Sequence, residues 1–180
     1  MGEIGLNTNL FGENDTPNEI YTFYKRFGNT KKYSLMVDEL ELLCNKYDRA
    51  ECYILKGDLC KKMKRTDQTL VNYRKAIEKN TNNAAYYMIL GREYVRESLF
   101  YEAIDVLTFL IENQNLMNYA YYVSYREFRL IAACSVGEWD IAEKDIDYLP
   151  DDFMIYTKPI EGSITKEILS NSIKNRARLV

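Results

Sequence analysis

The chain contains no histidine. That removes the commonest general base, the commonest metal ligand and every Ser/His or Cys/His nucleophile pair, so most hydrolytic mechanisms fall away at once. Proline and glycine are scarce, at three and eight in 180 residues. An all-β chain of this length would need turn residues about every eight to twelve positions, so the shortage favours helices with tight connections. The four cysteines, Cys44, Cys52, Cys60 and Cys134, form no C-x-x-C pair for zinc or a redox dithiol. They lie within apolar patterns, as reduced, buried, intracellular cysteines do. No apolar run approaches the roughly 18 residues that span a bilayer, and the start lacks the basic and apolar stretches of a signal peptide. Met1-Gly2 is followed by Leu6 where an acylation signal wants Ser or Thr. A cytoplasmic or nuclear protein, not a secreted one, is expected.

What is present is 47% hydrophobic, with 24 basic and 27 acidic residues for a net charge of −3. These values predict one compact domain or a short repeat array. Sixteen Tyr and seven Phe suit a helical core with wet edges. Residues 1–16 carry Glu3, Glu13 and Asp15 with no basic residue and read as a flexible acidic lead. From there helical spacing takes over, and it repeats. Set the segment from Ala50 against that from Ala84, 34 residues later, and Tyr53 falls on Tyr87, Gly57 on Gly91, Thr69 on Ala103, Tyr73 on Leu107 and Ala76 on Leu110. In each segment a first helix carries the Tyr and Gly, a turn follows near Lys64-Arg65 or Ser98-Leu99, and a second helix alternates small and large residues. Lacking a Cβ, each glycine lets the partner helix approach closely, which offsets the roughly 1 kcal/mol it costs in a helix interior.

This register resembles the tetratricopeptide repeat, whose 34-residue unit has an aromatic, a glycine, a small residue, an aromatic and an alanine in this order. Lys56, Thr69, Thr81 and Asn115 depart from the consensus without moving it. The resemblance implies an all-α, right-handed superhelical array of antiparallel helical hairpins. Residues 17–149 then divide into a degenerate unit 17–49, units 50–83 and 84–117, and an irregular unit 118–149. In the first, Ile20, Phe23, Tyr24 and Phe27 precede a turn at Gly28-Asn29, and Met36, Leu40 and Leu43 follow it. In the last, the string from Gly137 to Ala142 arrives about five residues late, which implies a longer first helix of roughly 119–136. Residues 150–162 read as a connector, and 163–180 as a capping helix with Ile164, Ile168, Leu169, Ile173 and Leu179 on one face and Ser163 or Thr165 as N-cap.

The family geometry implies a concave groove lined by the first helices. Carried onto this chain, the lining residues are Glu51, Ile54, Asp58, Lys61 and Lys62, then Ala85, Met88, Arg92, Val95 and Arg96, then Tyr119, Tyr122, Arg126, Arg129 and Leu130. Lys62 and Arg96, like Arg92 and Arg126, are 34 residues apart. With Lys25 they make the groove cationic, while residues 1–19 sum to −4 and residues 140–152 to −5. Such segregation suits capture of an acidic partner segment. Tyr122 and Met88 are expected as apolar contacts, within an aromatic cluster of Tyr119, Tyr121, Tyr122 and Tyr125 that suits either a peptide grip or the core. Tyr53, Gly57, Tyr87, Gly91 and Ala103 are expected to determine the fold. The family's carboxylate clamp is not carried, because Ile54 and Asp58 stand where it needs Lys and Asn. Pairs such as Glu39 with Glu41 and Asp145 with Asp147 lie on different helix faces and read as solvated surface. No glycine-rich phosphate loop occurs, and no catalytic constellation, metal site or cofactor is expected. The resemblance implies a non-enzymatic adaptor or scaffold, as in assemblies of the anaphase-promoting-complex type, with self-association through array ends an option. A secretion-type chaperone of a hydrophobic client is the alternative, and a helical-repeat RNA binder is disfavoured by a pI near 5.2.

Overall fold

Helix starts recur at the interval the sequence repeats. In the computed structural model, which describes residues 16–29, 32–113, 115–116 and 122–180, with side chains in the last stretch from residue 124, the chain is all-α with nine α-helices among those residues. They are α1 (Asn18–Gly28), α2 (Val37–Tyr47), α3 (Ala50–Lys62), α4 (Thr66–Lys79), α5 (Ala84–Arg96), α6 (Phe100–Glu112), α7 (Tyr122–Val136), α8 (Trp139–Ile146) and α9 (Lys166–Asn175). A 3-10 turn, Tyr33–Met36, leads into α2. The proposed acidic lead, the start of the 118–149 unit and the Tyr119, Tyr121 and Tyr122 side chains lie outside the described residues. The chain divides into two compact units, one ending at Tyr86 and the other beginning at Tyr87.

In the first unit α3 and α4 form a hairpin around Gly57. A Cβ there would stand 2.3 Å from Tyr73 Cε1, so the ring of α4 occupies space that any other residue would fill. Tyr73 is 1% exposed, and its hydroxyl donates to Asp58 Oδ1 at 2.6 Å. Ile20 and Phe23 of α1, Leu40 of α2 and Ile54 and Leu55 of α3 complete this core. Two of the residues that departed from the repeat consensus have local partners. The buried Thr69 hydroxyl donates to the Arg65 carbonyl at 3.0 Å, and Lys56 reaches Glu41 on α2. The neighbouring Cys52 thiol of α3, together with burial, raises the Cys44 thiol of α2 above its ordinary value. Cys134 is also buried, whereas Cys60 is half-buried, and all four thiols are free.

The second unit repeats the device. A Cβ on Gly91 of α5 would stand 2.6 Å from Leu107 Cδ2 of α6. Each hairpin turn is also made the same way. Lys64, Ser98 and Gly137 adopt left-handed conformations at φ 59°, 62° and 86°. The next amide then donates back five residues, Arg65 to Cys60, Leu99 to Tyr94 and Glu138 to Ala133, each at 2.9 Å. This is the Schellman closure, which satisfies helix-end carbonyls that would otherwise be orphaned. The third such turn falls five residues late, where the long α7 ends.

α9 packs on α7 and α8, and the Leu179 amide donates to the Cys134 carbonyl at 3.3 Å. Thr165 is its N-cap, accepting from the Ile168 amide at 3.2 Å. The helix is shorter than expected at both ends. Ile164 and Thr165 instead pair as a strand with Met154–Ile155, and Arg176 turns left-handed to close the helix. Ile164, Leu169 and Ile173 are buried, but Ile168 is 43% exposed, because packing on α7 and α8 uses a narrower stripe than the periodicity suggested.

Candidate functional site

Met88, Arg92 and Arg96 fall four residues apart along α5 and so share one face. All three are half-buried. The Arg92 Nε is buried with no hydrogen-bond partner among the described residues. An unsatisfied guanidinium donor is costly to bury, and a forked cation one turn from a thioether suits a carboxylate flanked by apolar surface. Neither Arg92 nor Arg96 is ion-paired among the described residues.

Arg126 and Arg129 of α7 have a different fate. Asp145 of α8 is 0% exposed and takes both. Arg129 binds it through two parallel contacts, Nε to Oδ2 and Nη2 to Oδ1, each at 2.7 Å, and its Nη1 reaches Thr108 Oγ1 of α6 at 3.1 Å. Arg126 Nη1 lies 2.5 Å from Asp145 Oδ1, and its guanidinium carbon sits 3.8 Å over the Tyr148 ring. The Arg126 side chain is 11% exposed and that of Arg129 8%. These two arginines therefore staple α7 to α8 and α6, and the expectation of exposed groove cations is corrected for both. Asp145 corrects a second expectation, since it is core and not solvated surface. Two signals for it lie in the sequence. Arg126 and Arg129 are three apart and face one way, and Asp145 is three from the buried Ala142, inside the apolar register of α8.

Other expected lining residues are spread more widely. Ile54, Val95 and Leu130 are each 0% exposed and belong to the core, as does Tyr125 of the aromatic cluster. Glu51 is buried and ion-paired with Arg49, and Asp58 is tied to the Tyr73 hydroxyl. Lys62 is exposed and Lys61 half-buried. Lys25 lies over the ring of Tyr21 on its own helix, 4.4 Å from the centroid. The fold-determining positions Tyr53, Gly57, Tyr87, Gly91 and Ala103 are all within helices and buried. Tyr53 donates to Asp48 Oδ1 at 2.6 Å, and Asp48 also holds Lys79. This partnership raises the Tyr53 phenol and lowers the Asp48 carboxyl. Glu127 of α7 has its carboxyl pushed up to about 7 by burial. Among the described residues no helix is long and apolar enough to cross a membrane. Comparison of the sequence with protein-family models and with curated proteins finds no match.

Proposed function

We propose that this chain is a non-enzymatic interaction module of the tetratricopeptide kind, an adaptor or scaffold subunit that holds an acidic segment of a partner protein on the Met88, Arg92 and Arg96 face of α5. Support for the repeat comes from the recurrence of one device, a glycine under a large side chain 16 residues on, as Gly57 under Tyr73 and Gly91 under Leu107. The observation that carries the site is the contrast between cations. Arg126 and Arg129 are both ion-paired with Asp145, whereas Arg92 has no ion-pair partner among the described residues and keeps a buried Nε without a hydrogen-bond partner there. A carboxylate would satisfy that donor, Arg96 would extend the contact by a turn, and Met88 would adapt to a neighbouring apolar side chain.

The test is affinity capture from native extract with wild type beside Arg92→Glu/Arg96→Glu. Arg126 is left alone because its reversal would set a second carboxylate against Asp145. Loss of a captured protein only with the variant, restored when acidic residues of that protein are charge-reversed in turn, identifies the segment. Identical capture by both baits removes the α5 face from the reading.

A further inference from the structure

The outer side of α6 has the opposite character to the α5 stripe. The helix carries Glu102, Asp105 and Glu112 and no basic residue. All three acids are exposed, and none has an ion-pair partner among the described residues. Glu102 and Asp105, three apart, repel each other, and Glu112 sits at the negative end of the helix dipole, where a cation would be favoured. The same side bears Phe109, 45% exposed, and Tyr101, 58% exposed. Phe109 stacks on Tyr87 of α5 with ring centroids 5.3 Å apart. Beside this pair opens a hollow of about 430 Å³ lined by the buried Leu90 and Tyr94 and the half-buried Val106, with Glu102 and Asp105 at its edge.

We infer that this face docks a basic amphipathic helix of a partner protein. A bulky apolar side chain of that helix seats in the hollow against Phe109, and Lys or Arg a turn to either side reach Glu102, Asp105 and Glu112. The fit rests on charge complementarity: Glu102 and Asp105 line an apolar hollow and Glu112 follows on the same helix, none with an ion-pair partner among the described residues, which is the pattern a basic amphipathic helix complements. The 13 residues of α6 offer roughly 20 Å of contact, enough for about three turns of a partner. This contact is separate from the acidic segment proposed for α5 and can stand or fall alone.

The probe is a fluorescein-labelled helical peptide of Leu and Lys, with a Leu/Glu peptide of the same apolar pattern as control, titrated by anisotropy at low and high salt. The Leu/Lys peptide is expected to bind and the control not to, with affinity falling as salt rises. Phe109→Ala and the neutral triple variant Glu102→Gln/Asp105→Asn/Glu112→Gln should each weaken binding by about tenfold. The triple variant changes only exposed side chains and so keeps the fold, which circular dichroism checks if Phe109→Ala unfolds. Asp67→Asn/Glu78→Gln on the exposed side of α4 should leave binding within about twofold of wild type. Equal loss from the α4 variant would mean that the peptide senses only the overall negative field. Unchanged binding by the triple variant, or equal binding of the Leu/Glu peptide, would overturn the docking site.

Discussion

At the scale of single residues, the two repeat glycines are not equivalent. The Cβ of Gly57→Ala would press on the ring of Tyr73, which is buried and held by its hydroxyl to Asp58. At Gly91 the obstacle is Leu107, Cγ as well as Cδ2, an aliphatic side chain with no hydrogen bond to hold it in place. Overpacking costs about 1–3 kcal/mol, against a gain of roughly 1 kcal/mol in helix propensity. Gly57→Ala is therefore expected to lose about 2 kcal/mol in denaturant unfolding and Gly91→Ala about half as much; a larger loss at Gly91 would contradict the geometry. The heaviest single-residue loss is expected at Asp145. Asp145→Asn leaves two guanidinium groups without their shared counter-charge, a change of the kind that costs about 3–5 kcal/mol. The triad also shows where a one-dimensional reading stops. Spacing places Arg126 and Arg129 on one face of α7, but whether that face meets solvent or a carboxylate 16 residues further on depends on how α8 folds back.

At the scale of elements, the turns carry a prediction of their own. Lys64 and Ser98 hold left-handed backbone angles that cost an L-residue roughly 1–2 kcal/mol, whereas Gly137 holds its φ of 86° without that strain. Ser98→Gly should therefore raise stability by about 0.5–1 kcal/mol, net of the entropy glycine loses on folding. Gly137→Ala should lower it by a similar amount or more, since its Cβ would also stand 3.3 Å from Arg178 Nε. Thermal unfolding of the two variants beside wild type checks both signs. Most helices were legible because periodicity, the 34-residue interval and the Tyr and Gly positions agree with one another. α9 was less so. Its expected start, Ile164, is apolar and in helical register, yet cross-strand bonding to Ile155 claims it, and pairing between segments nine residues apart leaves no mark in a helical pattern.

For the molecule as a whole, the groups that shift on folding set the dependence of stability on pH. Glu127 has an ordinary value of 4.5 and is held at about 7 by burial, so between those values the folded chain binds a proton that the unfolded chain has released. Stability from this group is greatest at the acid end of that window and falls as pH rises through it. Three exposed carboxylates act in the opposite sense. Asp48 with Lys79, Asp151 with Lys166 and Glu19 with Lys46 are all lowered by their hydrogen-bonded lysines, so their smaller contribution is present at neutral pH and lost in acid below the usual carboxylate range. Together these terms place the most stable pH below neutrality. Replacing Glu127 by Gln isolates the first term, because glutamine keeps the shape and removes the charge. Glu127→Gln is expected to melt higher than wild type at pH 8 and close to it at pH 5, with melting temperatures converging steadily in between. A constant difference across that range would show that the substitution acts through packing, and a wild-type advantage at pH 8 would mean that the Glu127 carboxylate gains a cation in the folded chain that outweighs its desolvation.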